Sequence, residues 1–106
     1  MKQQDYCIIY TTFPDLETAK KIIKGMIEHK FAACGNIFKL SSLYIWKGKI
    51  EEAPEYGALI KTKKINYKKV ESFIKKNHPY QVPEVICWKI ERGFKSYLDW
   101  IDSNAL

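Results

Sequence analysis

Leu40-Ser41-Ser42-Leu43-Tyr44-Ile45-Trp46-Lys47-Gly48-Lys49 is the stretch of this 106-residue chain that decides its fold. Side chains alternate across a strand, so Leu40, Ser42, Tyr44 and Trp46 share one face and Leu43 and Ile45 the other. Lys47-Gly48-Lys49 is a tight hairpin signal. A second strand must therefore return alongside the first. Glu51-Glu52-Ala53-Pro54-Glu55 predicts an early interruption of that strand, with a bulge or an exposed edge at Pro54. Tyr56-Gly57-Ala58-Leu59-Ile60-Lys61-Thr62-Lys63 resumes it.

Working outward, residues 5–12 are β-branched and aromatic and predict a first strand. Pro14-Asp15 breaks it and supplies a helix cap. Leu16, Ala19, Ile22, Ile23, Met26 and Ile27 recur at helical spacing, which predicts a helix over 15–29. An extended stretch over 31–37 leads into the hairpin. Beyond the hairpin, Asn66 caps a second helix striped by Val70, Phe73 and Ile74. His78-Pro79-Tyr80-Gln81-Val82-Pro83-Glu84 ends it as a loop clamped by two prolines. Residues 85–90 form a fourth strand, and Gly93 breaks it. Ser96 and Asp99 then read as a capping-box variant for a short terminal helix. The order β-α-β-β-α-β plus a helix is an α+β, ferredoxin-like sandwich in one domain over 1–106, with helices on one face of an antiparallel sheet.

Both faces of that sheet are apolar. The first strand offers Tyr6, Ile8 and Tyr10 on one side and Cys7 and Ile9 on the other. The fourth offers Ile86, Trp88 and Ile90 against Val85 and Cys87. Two helices cover one face only. The other is buried in a homo-oligomer, or else the terminal helix alone covers it.

Composition limits the function. A hydrophobic content of 46% excludes disorder, and no apolar run reaches the roughly 18 residues of a membrane span. Residues 1–5 lack the apolar stretch of a signal peptide, so a cytoplasmic location is expected, with no membrane partner. The net charge is +6, yet Arg92 is the only arginine among 18 basic residues. Arginine is the usual reader of guanine, so this favours solvated lysine faces over a nucleic-acid partner. Cys7, Cys34 and Cys87 form no CxxC and are expected to be buried thiols acting as small hydrophobes.

No nucleophile–base pair, P-loop or GxGxxG occurs, so an enzyme is not expected. The third strand also lacks the aromatic run with which an RRM stacks bases. His78 is the well-placed histidine for a metal, with Cys34, Glu84, Glu51 and Glu55 as possible co-ligands at no diagnostic spacing. Tyr44, Trp46 and Tyr80 line a small-molecule pocket, or Tyr44 and Trp46 pack a subunit interface; both hold if a cleft lies between subunits.

Ala32-Ala33-Cys34-Gly35-Asn36-Ile37, the run Ser42–Glu52, Leu59-Ile60-Lys61-Thr62, the run His78–Glu84 and Tyr97-Leu98-Asp99-Trp100-Ile101 together resemble the CutA divalent-cation tolerance proteins, over essentially the whole chain from Tyr6. The resemblance implies a PII-like homotrimer and a role in tolerance of divalent cations, with copper(II) or another divalent metal as the bound ion. The copper ligands proposed in bacterial relatives are a cysteine near the end of the first strand and two histidines before Pro-Tyr. The matching positions here are Thr11, Asn77 and His78, so His78 alone carries over as a metal ligand. Tyr44, Trp46, Lys61, Tyr80, Gln81 and Glu84 carry over as the binding cleft. A PII-like regulatory module is the alternative, with an anionic ligand held by Lys61 and Lys49 or a protein partner in a cleft between subunits.

Overall fold

The structure is a computed structural model and describes residues 5–106; segment 1–4, read above as lacking a leader, lies outside them. The elements are β1 (Tyr6–Phe13), α1 (Leu16–Glu28), β2 (Cys34–Trp46), β3 (Lys49–Lys63), a 3₁₀ turn (Lys64–Asn66), α2 (Tyr67–Asn77), β4 (Val85–Lys89) and α3 (Lys95–Asn104). The sheet order is β2-β3-β1-β4, and every neighbouring pair is antiparallel. This is the ferredoxin-like arrangement expected from the element order.

The hairpin closes where the sequence predicts. Lys47 and Gly48 both have positive φ, at 51° and 77°. Two such residues between paired Trp46 and Lys49 make a type I′ turn, whose twist matches that of the strands. The register then runs unbroken to Cys34 opposite Lys61. The expected interruption of β3 does not occur, and Pro54 sits in regular pairing opposite Ser41 without a bulge. β1 reaches only to Tyr56 along β3. Residues 49–55 therefore have a neighbour on the β2 side alone, where a residue lacking an N–H is tolerated. The free arm stretches the molecule to 51 × 25 × 21 Å.

The core lies between the sheet and α1 and α2. Ile9, Phe13, Ile60, Met26, Val70 and Ile74 are fully buried there. Each contributes about 1.5–3 kcal/mol by leaving water. Asp15 caps α1 as expected, accepting the Thr18 N–H at 2.7 Å. At the other end Lys30 takes the left-handed conformation normally given to glycine, and Phe31 N–H reaches the Met26 carbonyl at 2.8 Å, as in a Schellman motif.

Two expected caps are corrected. The Asn66 side chain does not cap α2; it is buried and donates to the Thr62 hydroxyl at 3.4 Å. Ser96 lies inside α3, whose cap position is Phe94, while Asp99 pairs with Lys95 at 2.8 Å. The cysteines also differ from expectation. Cys7 is buried, and burial pushes its thiol up to about 11, but Cys34 is half-buried and Cys87 exposed.

The terminal helix does not cover the second sheet face. It packs at one end of that face, with Ile101 and Ala105 against Ala33 and Tyr6 and with Lys63 paired to Asp102 at 3.2 Å. Ile86, Trp88 and Phe38 stay 51%, 45% and 38% exposed. Gly57 adds to this surface, because a Cβ there would come within 2.7 Å of Leu40 and 2.9 Å of Phe38. Without one, both side chains lie across β3.

Two tests follow from these geometries. Gly48→Ala forces a Cβ into the left-handed region and should lower stability in urea by about 1 kcal/mol. The Thr18 amide bond holds Asp15 below the usual carboxylate range. Such a cap acts fully above the ordinary aspartate value and is lost as pH falls through the lowered one. Asp15→Ala should therefore melt below the wild type at neutral pH, with the gap closing only in acid below about pH 3.9. A gap that persisted unchanged in strong acid would contradict the cap.

Candidate functional site

The arm of β2 and β3 projects past the end of β1, and loop 78–84 turns across the step so formed. Between them lies an open cleft of about 760 Å³. Hairpin register decides which side chains enter it. Pairing of Tyr44 with Glu51 and of Leu40 with Glu55 puts Ser42, Tyr44, Trp46, Glu51 and Glu55 on the sheet face away from α1 and α2. The loop adds Tyr80, Gln81 and Glu84. Among the described residues, no lysine or arginine lines the cleft, although the chain carries +6.

His78 pins the loop. It is buried, its ring stacks on Phe13 at 5.3 Å, and the Tyr80 ring lies 4.8 Å away. Nε2–H donates to the Thr12 carbonyl at 2.8 Å, and Nδ1 accepts the Tyr80 N–H at 3.0 Å. A carbonyl only accepts and an amide only donates, so these two bonds define one neutral tautomer with neither nitrogen free. Tyr80 then donates its hydroxyl to Glu55 Oε2 at 3.0 Å.

Glu55 is 7% exposed, and no ion pair among the described residues reaches it. Burial first, and then the hydrogen bond and charge of Glu55, push the Tyr80 phenol up to about 12. Burial also raises Tyr10, with Glu84 and Glu55 adding to it. The cleft is thus a region of negative potential with aromatic walls.

The structure brings Tyr44, Trp46, Tyr80, Gln81 and Glu84 together as the sequence suggested. Two expected members are elsewhere. Lys61 lies six residues along β3 from Glu55, roughly 20 Å away, and its ammonium donates to the Asn36 carbonyl oxygen. His78 lies beneath the cleft as a support. Glu51 and Glu55 were readable only as loose candidates, because an interrupted strand hides their register. The Lys47-Gly48 turn was the signal that could have placed them opposite Tyr44 and Leu40.

The residues matching the proposed copper ligands do not converge. Thr11 is fully buried on the helix side of the sheet, and its hydroxyl has no partner. Asn77 donates back to the Phe73 carbonyl at 2.8 Å. Cys34 sits at the far end of the open face, 3.5 Å from the Tyr97 hydroxyl. Among the described residues, no three His, Cys, Asp or Glu side chains come close enough to enclose one ion. These donors do not fit a closed copper site; the cleft carboxylates fit at most a loosely held, oxygen-ligated ion.

A model of the CutA1 divalent ion tolerance protein family matches residues 7–104. The chain belongs to the CutA1 family. It is 45% identical over 97 residues to the divalent-cation tolerance protein CutA of Archaeoglobus fulgidus, covering 92% of this chain and 95% of that one. The solved structure of that organism's periplasmic divalent cation tolerance protein CutA superposes with a TM-score of 0.94 at 42% identity, over 95% of this chain and 99% of that one. CutA1 from Oryza sativa gives 0.95 at 34% identity, over 97% and 95%. The CutA1 structures share the PII-like fold seen here, which agrees with the resemblance in the five sequence motifs.

The Tyr80–Glu55 bond makes a direct prediction. In Glu55→Gln the charge goes while an acceptor oxygen stays, so the Tyr80 phenol should ionise earlier, between 10 and its present value of about 12. A pH titration of the Tyr80 ring by NMR would read this; an unchanged midpoint would mean that Glu55 does not act on Tyr80.

Proposed function

We propose that this chain serves divalent-cation tolerance without catalysing a reaction, as a homotrimer that binds copper(II) or another divalent ion weakly. The observation that carries the reading is the sign of the cleft. Glu51, Glu55 and Glu84 gather in a protein of net charge +6, where lysines are otherwise abundant. Family membership supports the tolerance role. The apolar open face, with Ile86 and Trp88 half exposed, supports self-association through that face.

In this reading the carboxylates come first as donors. His78 can bind the ion only by giving up the Thr12 carbonyl or the Tyr80 amide. A cytoplasmic location belongs to the same proposal, since the exposed, unpaired Cys87 thiol suits a reducing compartment; the Archaeoglobus protein is described as periplasmic. The alternative, an anionic ligand held by Lys61 and Lys49, calls for a different cavity between subunits, since neither lysine lines the cleft of one chain.

Light scattering should give three times the 12.5 kDa of one chain, and Ile86→Lys should reduce it to one chain's mass. Calorimetry with copper(II) should show weak saturable binding that weakens severalfold in Glu84→Gln. If His78→Ala abolishes binding in a folded trimer, the imidazole is a ligand after all. A trimer that takes up no divalent ion would defeat the metal half of the proposal and leave the assembly standing.

A further inference from the structure

The cleft meets a need that a metal ion does not answer. Glu55 is more than nine-tenths buried, one of its oxygens accepts only the Tyr80 hydroxyl, and the four ion pairs among the described residues lie elsewhere. The other Glu55 oxygen has no hydrogen-bond or ion-pair partner among the described residues and is free to take a cation from outside. Glu51 lies four residues away on the same strand face, roughly 13 Å along β3. Among the described residues no three metal-binding side chains close on one point, so one hard divalent ion cannot engage all the carboxylates of the cleft together. Two or three positive charges on one extended molecule can.

The walls point the same way. Tyr44 lies on the same face directly across from Glu51, Trp46 stands two residues nearer the hairpin tip, and Tyr80 borders the same space. Aromatic faces attract ammonium groups and pack against methylene chains. Trp46 already draws the Lys47 ammonium to 6.0 Å from its ring. The volume of about 760 Å³ lies within the range of small-molecule sites, about 300–1,000 Å³.

We propose that this cleft binds a linear aliphatic polyamine, with ammonium groups at Glu55 and Glu51 and its methylenes along Tyr44, Trp46 and Tyr80. Glu84 at the rim adds attraction for the same charge. The proposal shares the cleft with the metal reading, but requires no converging ligand set.

The test is calorimetry of the full-length protein in its native assembly with spermidine, beside copper(II) and inorganic phosphate as separate probes. Spermidine should bind saturably, more weakly as salt rises. Affinity should fall at least tenfold in Glu55→Gln and hold in Glu52→Gln, which removes the same charge from the other face of the arm. Trp46→Leu should weaken it severalfold and serves if Glu55→Gln does not fold. The proposal is overturned if no saturable spermidine binding is found, as when a lysine of a second copy already fills the cleft. Equal loss in both glutamine variants, or preference for phosphate, would overturn it too. Copper(II) binding without spermidine binding would end this proposal and leave the metal reading intact; spermidine binding without copper(II) binding would do the reverse.

Discussion

Register in the β2–β3 hairpin is the constraint on which the rest of the structure depends. The type I′ turn at Lys47-Gly48 sets Trp46 against Lys49, and every later pair follows from it. Side-chain orientation has a period of two, so a slip of one residue would turn Glu55 toward the helices and bring Tyr56 out of the core. The same register makes β3 longer than β1. The unmatched residues 49–55 form the arm, and the step at the end of β1 becomes the cleft. Ladder geometry therefore creates the site before any functional side chain is considered.

The second constraint is polar and local. His78 joins the end of β1, through the Thr12 carbonyl, to the start of the loop, through the Tyr80 amide. Its ring fills the space beside Phe13, and its two nitrogens satisfy groups that burial would otherwise leave costly. The Tyr80 hydroxyl then reaches Glu55 because the loop is fixed at that height. The residue that looks most like a metal ligand in the sequence is committed to architecture. A buried histidine whose two ring nitrogens both have complementary partners has little reason to exchange them for an ion.

Element order, the turn and the two-sided sheet were legible because they follow from local periodicity. The alternation through Trp46 and the helical spacing from Leu16 to Ile27 each need only a few neighbouring residues to be read. What could not be read depends on distant partners. Pro54 looks like an interruption until β1 is seen to end before it. Asn66 looks like a cap until the Thr62 hydroxyl is beside it. Lys61 looks like a cleft residue until the strand is drawn to scale, and Lys30 at positive φ gives no glycine to mark the end of α1. For the site, the aromatic and amide members were visible as types, but the buried position of Glu55 depends on distant neighbours such as Tyr80 of loop 78–84.

Two unmet needs remain on one surface, and their position links them. Phe38 and Leu40 belong to the apolar open face. Two and four residues farther along the same side of β2 stand Ser42 and Tyr44, which line the cleft. The face that a second copy would cover thus runs without a break into the cavity that holds the carboxylates. A subunit seated on Ile86, Trp88 and Phe38 would bring part of its own surface toward the cleft mouth and add a wall to it. Excluding water there would strengthen the field of Glu55 on whatever occupies the cleft, because charges act more strongly at lower dielectric. Assembly through that face and occupation of the cleft would then be coupled through one continuous surface, each stabilising the other.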